Sequence, residues 1–142
     1  VTQFITPRQA GGDQTAFQVV LVPGGVDESR LDLVTAENLI FVISAGSLLV
    51  YSGEIPEAPV LLSQLPLEGG ASDGLRRARI VYENGRVFVL SGGFWAIDVL
   101  HPEAPKVVGY HASEAIEIGV GGDRAVLVDE YGQIDVVRME FD

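Results

Sequence analysis

The sequence predicts an all-β protein built from propeller-like blades of four antiparallel strands, with too few blades to close a ring. Three observations support this fold class. Short apolar runs recur along the chain and are separated by glycine-rich turns. The motif Pro-Glu-Ala-Pro occurs twice, at Pro56–Pro59 and at Pro102–Pro105. The segments around its two copies align 46–47 residues apart, which suits one four-stranded propeller blade.

The alignment covers an apolar run, a tight turn, a second run and the proline motif. Its aligned pairs are Phe41 with Phe88 and Val50 with Ile97, each 47 residues apart, and Pro56 with Pro102, 46 residues apart. A third, partial copy occupies residues 124–138, where Ile134-Asp135-Val136 repeats Ile97-Asp98-Val99 after 37 residues. No third proline motif follows, so we expect a third blade that is cut short.

Each copy shows the same order of elements. A short run leads into a hairpin turn, of which Asn84-Gly85 is the strongest signal because both turn residues need a positive φ. The next run is apolar throughout, as in Val87–Leu90 and Ala125–Val128, which is typical of a strand buried on both faces. A glycine turn and a third run follow. The first proline of the motif then ends that strand, and the second biases its alanine towards extended geometry before the fourth strand.

We expect residues 1–142 to form a single β-repeat domain. Its blade-like units cover about 31–67, 78–113 and 115–142, and residues 1–30 supply an N-terminal strand and loops, with one apolar run at 17–22. Propellers need at least about four blades. The chain is therefore expected to be a fragment of a longer protein, to close a ring by oligomerising, or to form an open stack whose ends something else covers.

The third and fourth runs of the second unit carry a family resemblance. Ala96-Ile97-Asp98-Val99 followed by Pro102–Pro105 resembles the LVIVD-type β-propeller repeat, and the similarity extends over residues 31–137. The first copy departs from that pattern at Val50-Tyr51-Ser52, which lacks the aspartate, and Leu100-His101 replaces the usual small polar pair. The resemblance implies propeller blades and says little about function, because folds of this kind serve many roles.

Composition excludes several classes of function. The formal net charge of −11 makes nucleic acid a poor partner, and the triplet Arg76, Arg77 and Arg79 is expected to be a solvated strand entry or loop in an acidic surface. No apolar run approaches the roughly 20 residues of a membrane-spanning helix. The chain has no cysteine, which excludes thiolate catalysis, disulfides and cysteine-ligated metals.

The polar candidates favour structural roles, so we predict no catalytic, cofactor-binding or metal-binding residue. His101 and His111 are the only histidines and have no third ligand at a recognisable spacing. Two groups of carboxylates are better explained as turns or solvated loops than as calcium sites: Asp129, Glu130 and Asp135, and Asp27, Glu28 and Asp32. The glycine-rich segments lack a P-loop pattern. The serines near strand ends, none in a nucleophile elbow, are Ser44, Ser52, Ser91 and Ser113.

Aromatic side chains near strand ends and glycine turns allow two interpretations. They could form a rim that binds a sugar or a peptide, or they could pack between blades, which we favour. The residues concerned are Tyr51, Phe94, Trp95, Tyr110 and Tyr131.

The sequence therefore predicts a non-catalytic scaffold or interaction module that presents loops to a protein or glycan partner, or that self-associates. An extracellular or cell-surface location is favoured. Two alternatives stay open. One is a propeller segment of a larger hydrolase or dehydrogenase whose site lies in other blades. The other is a subunit of an assembly or filament that is closed by strand addition.

Overall fold

The structure, a computed structural model, describes residues 2–5, 19–22, 31–44, 46–67 and 78–141. These ranges contain strands and no helix, which confirms the predicted all-β class. The strands are β1 (Thr2–Ile5), β2 (Val19–Val22), β3 (Leu31–Ala36), β4 (Leu39–Ser44), β5 (Ser47–Ser52), β6 (Val60–Pro66), β7 (Arg79–Glu83), β8 (Arg86–Leu90), β9 (Phe94–Asp98), β10 (Lys106–His111), β11 (Glu117–Gly121), β12 (Arg124–Val128) and β13 (Ile134–Arg138).

The strands form antiparallel meanders in which chain neighbours pair with each other. The first sheet is β3-β4-β5-β6, the second is β7-β8-β9-β10, and the third is β11-β12-β13. Strands β1 and β2 pair with each other in a separate two-stranded sheet, and β2 covers the last four residues of the run predicted at 17–22. The fourth strands β6 and β10 each carry a β-bulge where they pair with the third strand.

The turns follow from residues that tolerate unusual backbone angles. Asn84 and Gly85 have φ values of 52° and 76°, so the hairpin predicted at this dipeptide is confirmed. In each proline motif the first proline follows the residue that opens a β-turn, a position that suits its fixed φ. The N–H of Ala58 donates to the carbonyl of Ile55 and that of Ala104 to the carbonyl of His101, both at 2.9 Å.

The same approach to the proline turn is built with two different side chains. The N–H of Leu100 donates to Asp98 Oδ1 at 2.9 Å, and the N–H of Glu54 donates to Ser52 Oγ at 3.3 Å. Ser52 therefore supplies the acceptor that Asp98 supplies in the second copy. The first copy therefore keeps this local hydrogen bond although it lacks the aspartate.

The strand register corrects the sequence alignment of the first two sheets by one residue. Phe41 pairs with Val50, and Phe88 pairs with Ala96, so Val50 corresponds to Ala96 and its predicted match to Ile97 is wrong. The cause lies in the turn, which encloses three residues between Leu90 and Phe94 but four in the first sheet. A slip of one residue matters because it exchanges the two faces of a strand.

The third sheet needs a larger correction. Val126 pairs with Val136, and Val126 occupies the ladder position that Phe88 occupies in the second sheet. Because Phe88 pairs with Ala96, Val136 is equivalent to Ala96. The predicted match of Val136 to Val99 is therefore wrong by three residues. The β12–β13 turn is longer because Asp129 Oδ1 accepts hydrogen bonds from the N–H groups of two later residues in the turn, both at 2.9 Å. The repeated Ile-Asp-Val letters therefore do not mark equivalent positions.

Two apolar clusters hold the three sheets together. The fully apolar run of β8 is buried on both faces, as predicted, because Val87 and Val89 face the first sheet while Phe88 and Leu90 face the third. The cluster between the first and second sheets contains Phe41, Ile43, Leu48, Val50, Leu67, Ala78, Ile80, Val87, Val89, Trp95, Ile97 and Val99. The cluster between the second and third sheets contains Phe88, Leu90, Phe94, Ala96, Ala115, Ala125, Leu127 and Met139.

The first strands of the three sheets lie side by side, with β7 between β3 and β11. Asp32 Oδ2 accepts a hydrogen bond from the N–H of Ile80 at 3.0 Å, and Arg79 Nη2 lies 3.0 Å from Glu117 Oε1. The hydrogen bond to Glu117 raises the pKa of Arg79 above its ordinary value. Asp32, Arg79 and Glu117 therefore form a row of side chains with alternating charge across the first strands of the three sheets. Each of them pairs with an apolar residue of the second strand in its own sheet.

This row corrects one expectation, that for Asp32, whereas Arg79 at the first position of β7 agrees with the predicted strand entry. Asp32 lies in β3 and bonds the backbone of β7, so its assignment to a solvated loop is wrong. Arg79 lies in β7 and pairs with Glu117. Asp27, Glu28, Arg76 and Arg77 lie outside the described residues.

Substitution of Asp32 by Ala tests the link between the first and second sheets. We expect the free energy of unfolding to fall by about 1–2 kcal/mol, because the half-buried N–H of Ile80 loses its charged acceptor. Asp32→Asn keeps an oxygen at this place and should lose less. Urea denaturation measures both variants, and an unchanged unfolding free energy for Asp32→Ala would contradict the link.

The β8–β9 turn closes against an aromatic pair. The rings of Trp95 and Tyr110 lie 4.5 Å apart, and Trp95 Nε1 donates to the carbonyl of Ser91 at 3.0 Å. Gly93 has a φ of 143°, and a Cβ atom at this residue would lie 2.6 Å from Cε2 of Tyr110. Only glycine fits both the backbone angle and the ring at this position.

Substitution of Gly93 by Ala should lower the free energy of unfolding by about 2–4 kcal/mol, because it combines backbone strain with a clash against Tyr110. Gly119→Ala is the matched control, since nothing lies within 4 Å of its added Cβ, and it should change stability by less than about 0.5 kcal/mol. Equal midpoints of urea denaturation for the two variants would disprove this account of the turn.

Candidate functional site: the exposed side of the third sheet

The side of the third sheet that faces away from the second sheet carries exposed apolar side chains. Val126 is 39% exposed, Ile134 64% and Val136 58%. We call these three residues the third-sheet face. They come from two adjacent strands and pair within one ladder, so they form a continuous patch rather than scattered surface residues.

The third-sheet face occupies ladder positions that are buried in the other two sheets. The counterparts of Val126, Ile134 and Val136 are Phe41, Leu48 and Val50 in the first sheet and Phe88, Phe94 and Ala96 in the second. Each of these six side chains is at most 3% exposed. The expectation that the run at Ala125–Val128 is buried on both faces is therefore wrong at Val126.

The neighbouring strand leaves this patch flat. On the same side of the sheet β11 places Gly119 opposite Val126 and Gly121 opposite Arg124, and nothing lies within 4 Å of a Cβ built on either glycine. Asp123 lies 3.7 Å from both Arg124 and Arg138 at one end of the patch. The third-sheet face is therefore apolar, open and bordered by two cations in a chain of net charge −11.

The outer edge of β13 adds a second feature. In the first and second sheets the third strand pairs with a fourth, whereas within the described residues β13 pairs with β12 alone. Two open grooves run beside this edge. The larger, of about 560 Å³, is lined by Tyr110, Ser113 and Asp135 among others, and the smaller, of about 160 Å³, by Phe94, Val137 and other residues.

An exposed hydrogen bond between a histidine and a carboxylate lies between the grooves. His111 Nε2 is 3.1 Å from Asp135 Oδ2, so the structure brings two of the sequence candidates together. Asp135 lies in β13, so its assignment to a turn or solvated loop is wrong. At the interface between the first and second sheets, Leu65 is equivalent to His111 and Trp95 is equivalent to Asp135. Trp95 belongs to the apolar cluster between those two sheets, and Leu65 packs against that cluster. This polar contact thus takes the place of an apolar one, beside an edge of the third sheet with which no described strand pairs.

The other sequence candidates serve the backbone or the surface. His101 is exposed in the proline turn, and Asp129 holds the β12–β13 turn. Among the described residues no group of three or more His, Cys, Asp or Glu side chains could hold a metal ion. Ser113 Oγ accepts a hydrogen bond from the N–H of Ala115 at 3.0 Å, and Ser44 is buried in β4.

The aromatic candidates divide into two groups. Phe94 and Trp95 are buried between sheets, which agrees with the favoured interpretation and removes them from any binding rim. Tyr51 is partly buried beside a small cluster on the first sheet. Tyr110 is 48% exposed and Tyr131 86% exposed, so these two alone among the five remain available at the surface.

No helix in the described part of the chain is long and apolar enough to cross a membrane. No protein-family model matches this chain, and no curated protein matches it. The resemblance to the LVIVD-type repeat stays a prediction.

Proposed function

We propose that this chain is a non-catalytic interaction module of β-propeller type, and that it binds a partner protein through the third-sheet face. The observation that carries the proposal is the exposure of Val126, Ile134 and Val136 at ladder positions that are buried between the other sheets. The occupant that fits these positions is the apolar face of another antiparallel sheet.

The arrangement of the sheets supports blades. Each sheet is a meander, the first strands lie beside one another, and successive sheets bury apolar faces against each other. Propeller blades share these three features, since their first strands surround the axis and their faces stack. In such a stack the third-sheet face is the place where a further blade packs.

The chemistry of the patch supports a sheet as its occupant. Sheets pack face to face at a distance of about 10 Å through apolar side chains, and full burial of a Val or Ile side chain stabilises by about 1.5–3 kcal/mol. A flat surface with Gly119 and Gly121 beside the valines accommodates side chains from a second sheet without moving the backbone. A glycan would need hydrogen-bonding groups at the centre of the patch, and its three residues supply none.

The polar groups that a catalyst would use take part in structural hydrogen bonds. Ser52, Asp98, Ser113 and Asp129 each accept a backbone N–H within two to four residues. Asp32 and Arg79 link neighbouring first strands. These roles support a binding module over an enzyme site in the described residues.

An extended chain tests the proposal. In the extended protein a second copy of residues 101–141 is fused directly after Glu140. Glu140 is equivalent to Leu100, because each follows the third strand of its sheet by two residues. The added copy therefore supplies a fourth strand for the third sheet and a further three-stranded sheet. We expect Val136→Asp to lower the melting temperature of the extended protein by about 5 °C or more, because the aspartate would be buried there. In the original chain the same substitution should have little effect, since Val136 is 58% exposed.

Val60→Asp is the matched control, because Val60 is 55% exposed on the outer strand of the first sheet. It should be tolerated equally in both proteins. An added segment that stays unfolded, or a Val136→Asp effect that is the same in both proteins, would disprove the third-sheet face as a docking surface.

A further inference from the structure

We propose that the outer edge of β13 binds an extended segment of another protein as a fourth antiparallel strand. The segment carries an acidic residue opposite Arg138 and a basic residue opposite Asp135. This inference rests on the proposed function and names the form of the partner at the edge next to the third-sheet face. It follows from how the first and second sheets complete themselves.

Strands β6 and β10 show what occupies this place. Each pairs antiparallel with the third strand of its sheet, and each shifts register by one residue at the same point of the ladder. Lys106 pairs with Asp98 at the beginning of β10, and His111 pairs with Phe94 at its end. The two sheets therefore define a common register for a strand that pairs with β13.

Among the described strands none pairs with the outer edge of β13, and β13 lacks three features that often keep exposed edges from pairing: proline, lysine and a bulge. Natural edge strands often carry proline, lysine or a bulge. The outer strand β6 ends at Pro66 and has a bulge, and β10 begins with Lys106 and has a bulge. Strand β13 contains neither proline nor lysine, and its ladder with β12 is regular. The edge is built like an inner strand.

The grooves provide room along the same edge. The larger groove borders Ile134 and Asp135 at the beginning of β13, and the smaller groove borders Val137 and Arg138 at its end. A strand paired with β13 lies along both, above β10 of the second sheet. Its side chains on that side would enter the grooves, as the side chains of β6 enter the cluster between the first and second sheets.

The register fixes which residues of the incoming strand meet the charges of β13. Arg138 stands at the position of Asp98 and faces the first residue, while Asp135 stands at the position of Trp95 and faces the fifth. Opposite charges in directly paired positions stabilise a ladder and like charges weaken it. Asp135 accepts from His111 and has further acceptor capacity for a second donor.

The fourth strands of this chain do not match that order of charges. Lys106, at the first position of β10, would face Arg138 of another copy, and Val60 begins β6 without a charge. A second copy is therefore a poor donor, and the partner is a different protein. In the extended chain described above, the covalent tether presents the strand at a high effective concentration, so pairing there does not need matching charges.

Two synthetic peptides of identical composition test the inference. Both contain residues 102–113 with His111→Val. The matched peptide also carries Lys106→Glu and Tyr110→Lys, and the inverted peptide keeps Lys106 and carries Tyr110→Glu. By fluorescence anisotropy at low ionic strength we expect the matched peptide to bind the full chain about tenfold more tightly, with the difference shrinking as salt is added. Hydrogen exchange should slow at the outward-facing amides of Ile134–Arg138.

Arg138→Glu provides the matched variant of the protein. It should weaken the matched peptide, strengthen the inverted one and remove most of the tenfold preference. Equal binding of both peptides, or no binding of either, would overturn the inference, as would a preference that Arg138→Glu leaves unchanged. In the Val136→Asp experiment the fourth strand is tethered and does not need matching charges, so failure of the free peptides to bind is distinguishable from failure of the proposed function.

Discussion

The burial of both faces of the second sheet is the constraint on which the rest of the structure depends. Val87 and Val89 face the first sheet, while Phe88 and Leu90 face the third, so one five-residue strand contributes to both apolar clusters. Among the described residues, the first sheet contributes no side chain to the cluster between the second and third sheets, and the third sheet contributes none to the cluster between the first and second. The second sheet is therefore the element that joins them, and a one-residue slip of β8 would exchange the contents of both interfaces.

Turn chemistry fixes that register. Asn84-Gly85 sets the beginning of β8, and Gly93 lets the chain reverse against the ring of Tyr110 without a clash. The proline turns then return the chain along the outer edge in the first two sheets, with an oxygen of Ser52 or Asp98 holding the approach to the turn. The glycines and prolines thus decide which apolar residues face which sheet.

The sequence was a good guide where the signal was local. The all-β class, the Asn84-Gly85 hairpin and the turn at Asp129 depend on residues close in the chain, and each was predictable. The position-by-position alignment was not predictable. Two turns differ in length between sheets, and letters that look alike, such as Ile134-Asp135-Val136 and Ile97-Asp98-Val99, then fall on different ladder positions.

The candidate site was hidden for a related reason. The apolar run Ala125–Val128 is typical of a strand that is buried on both faces. Its residue types do not indicate that one face packs on the second sheet while Val126 on the other face is exposed. Burial of this kind is decided by what lies next to the strand in space. The same holds for Asp32, whose carboxylate reads as part of a charged loop but accepts the N–H of Ile80 in the next sheet.

Charge indicates which partner suits the proposed docking face. Two copies at −11 each repel one another at long range, which disfavours association of like copies through the patch. The immediate border of the patch differs from the rest of the chain, because Arg124 and Arg138 lie at its end. A partner that is cationic overall, with a carboxylate placed to meet Arg138, is attracted at long range and matched at close range. In the proposed complex, net charge would favour encounter with such a partner, and the local charge pairs at β13 would set the register.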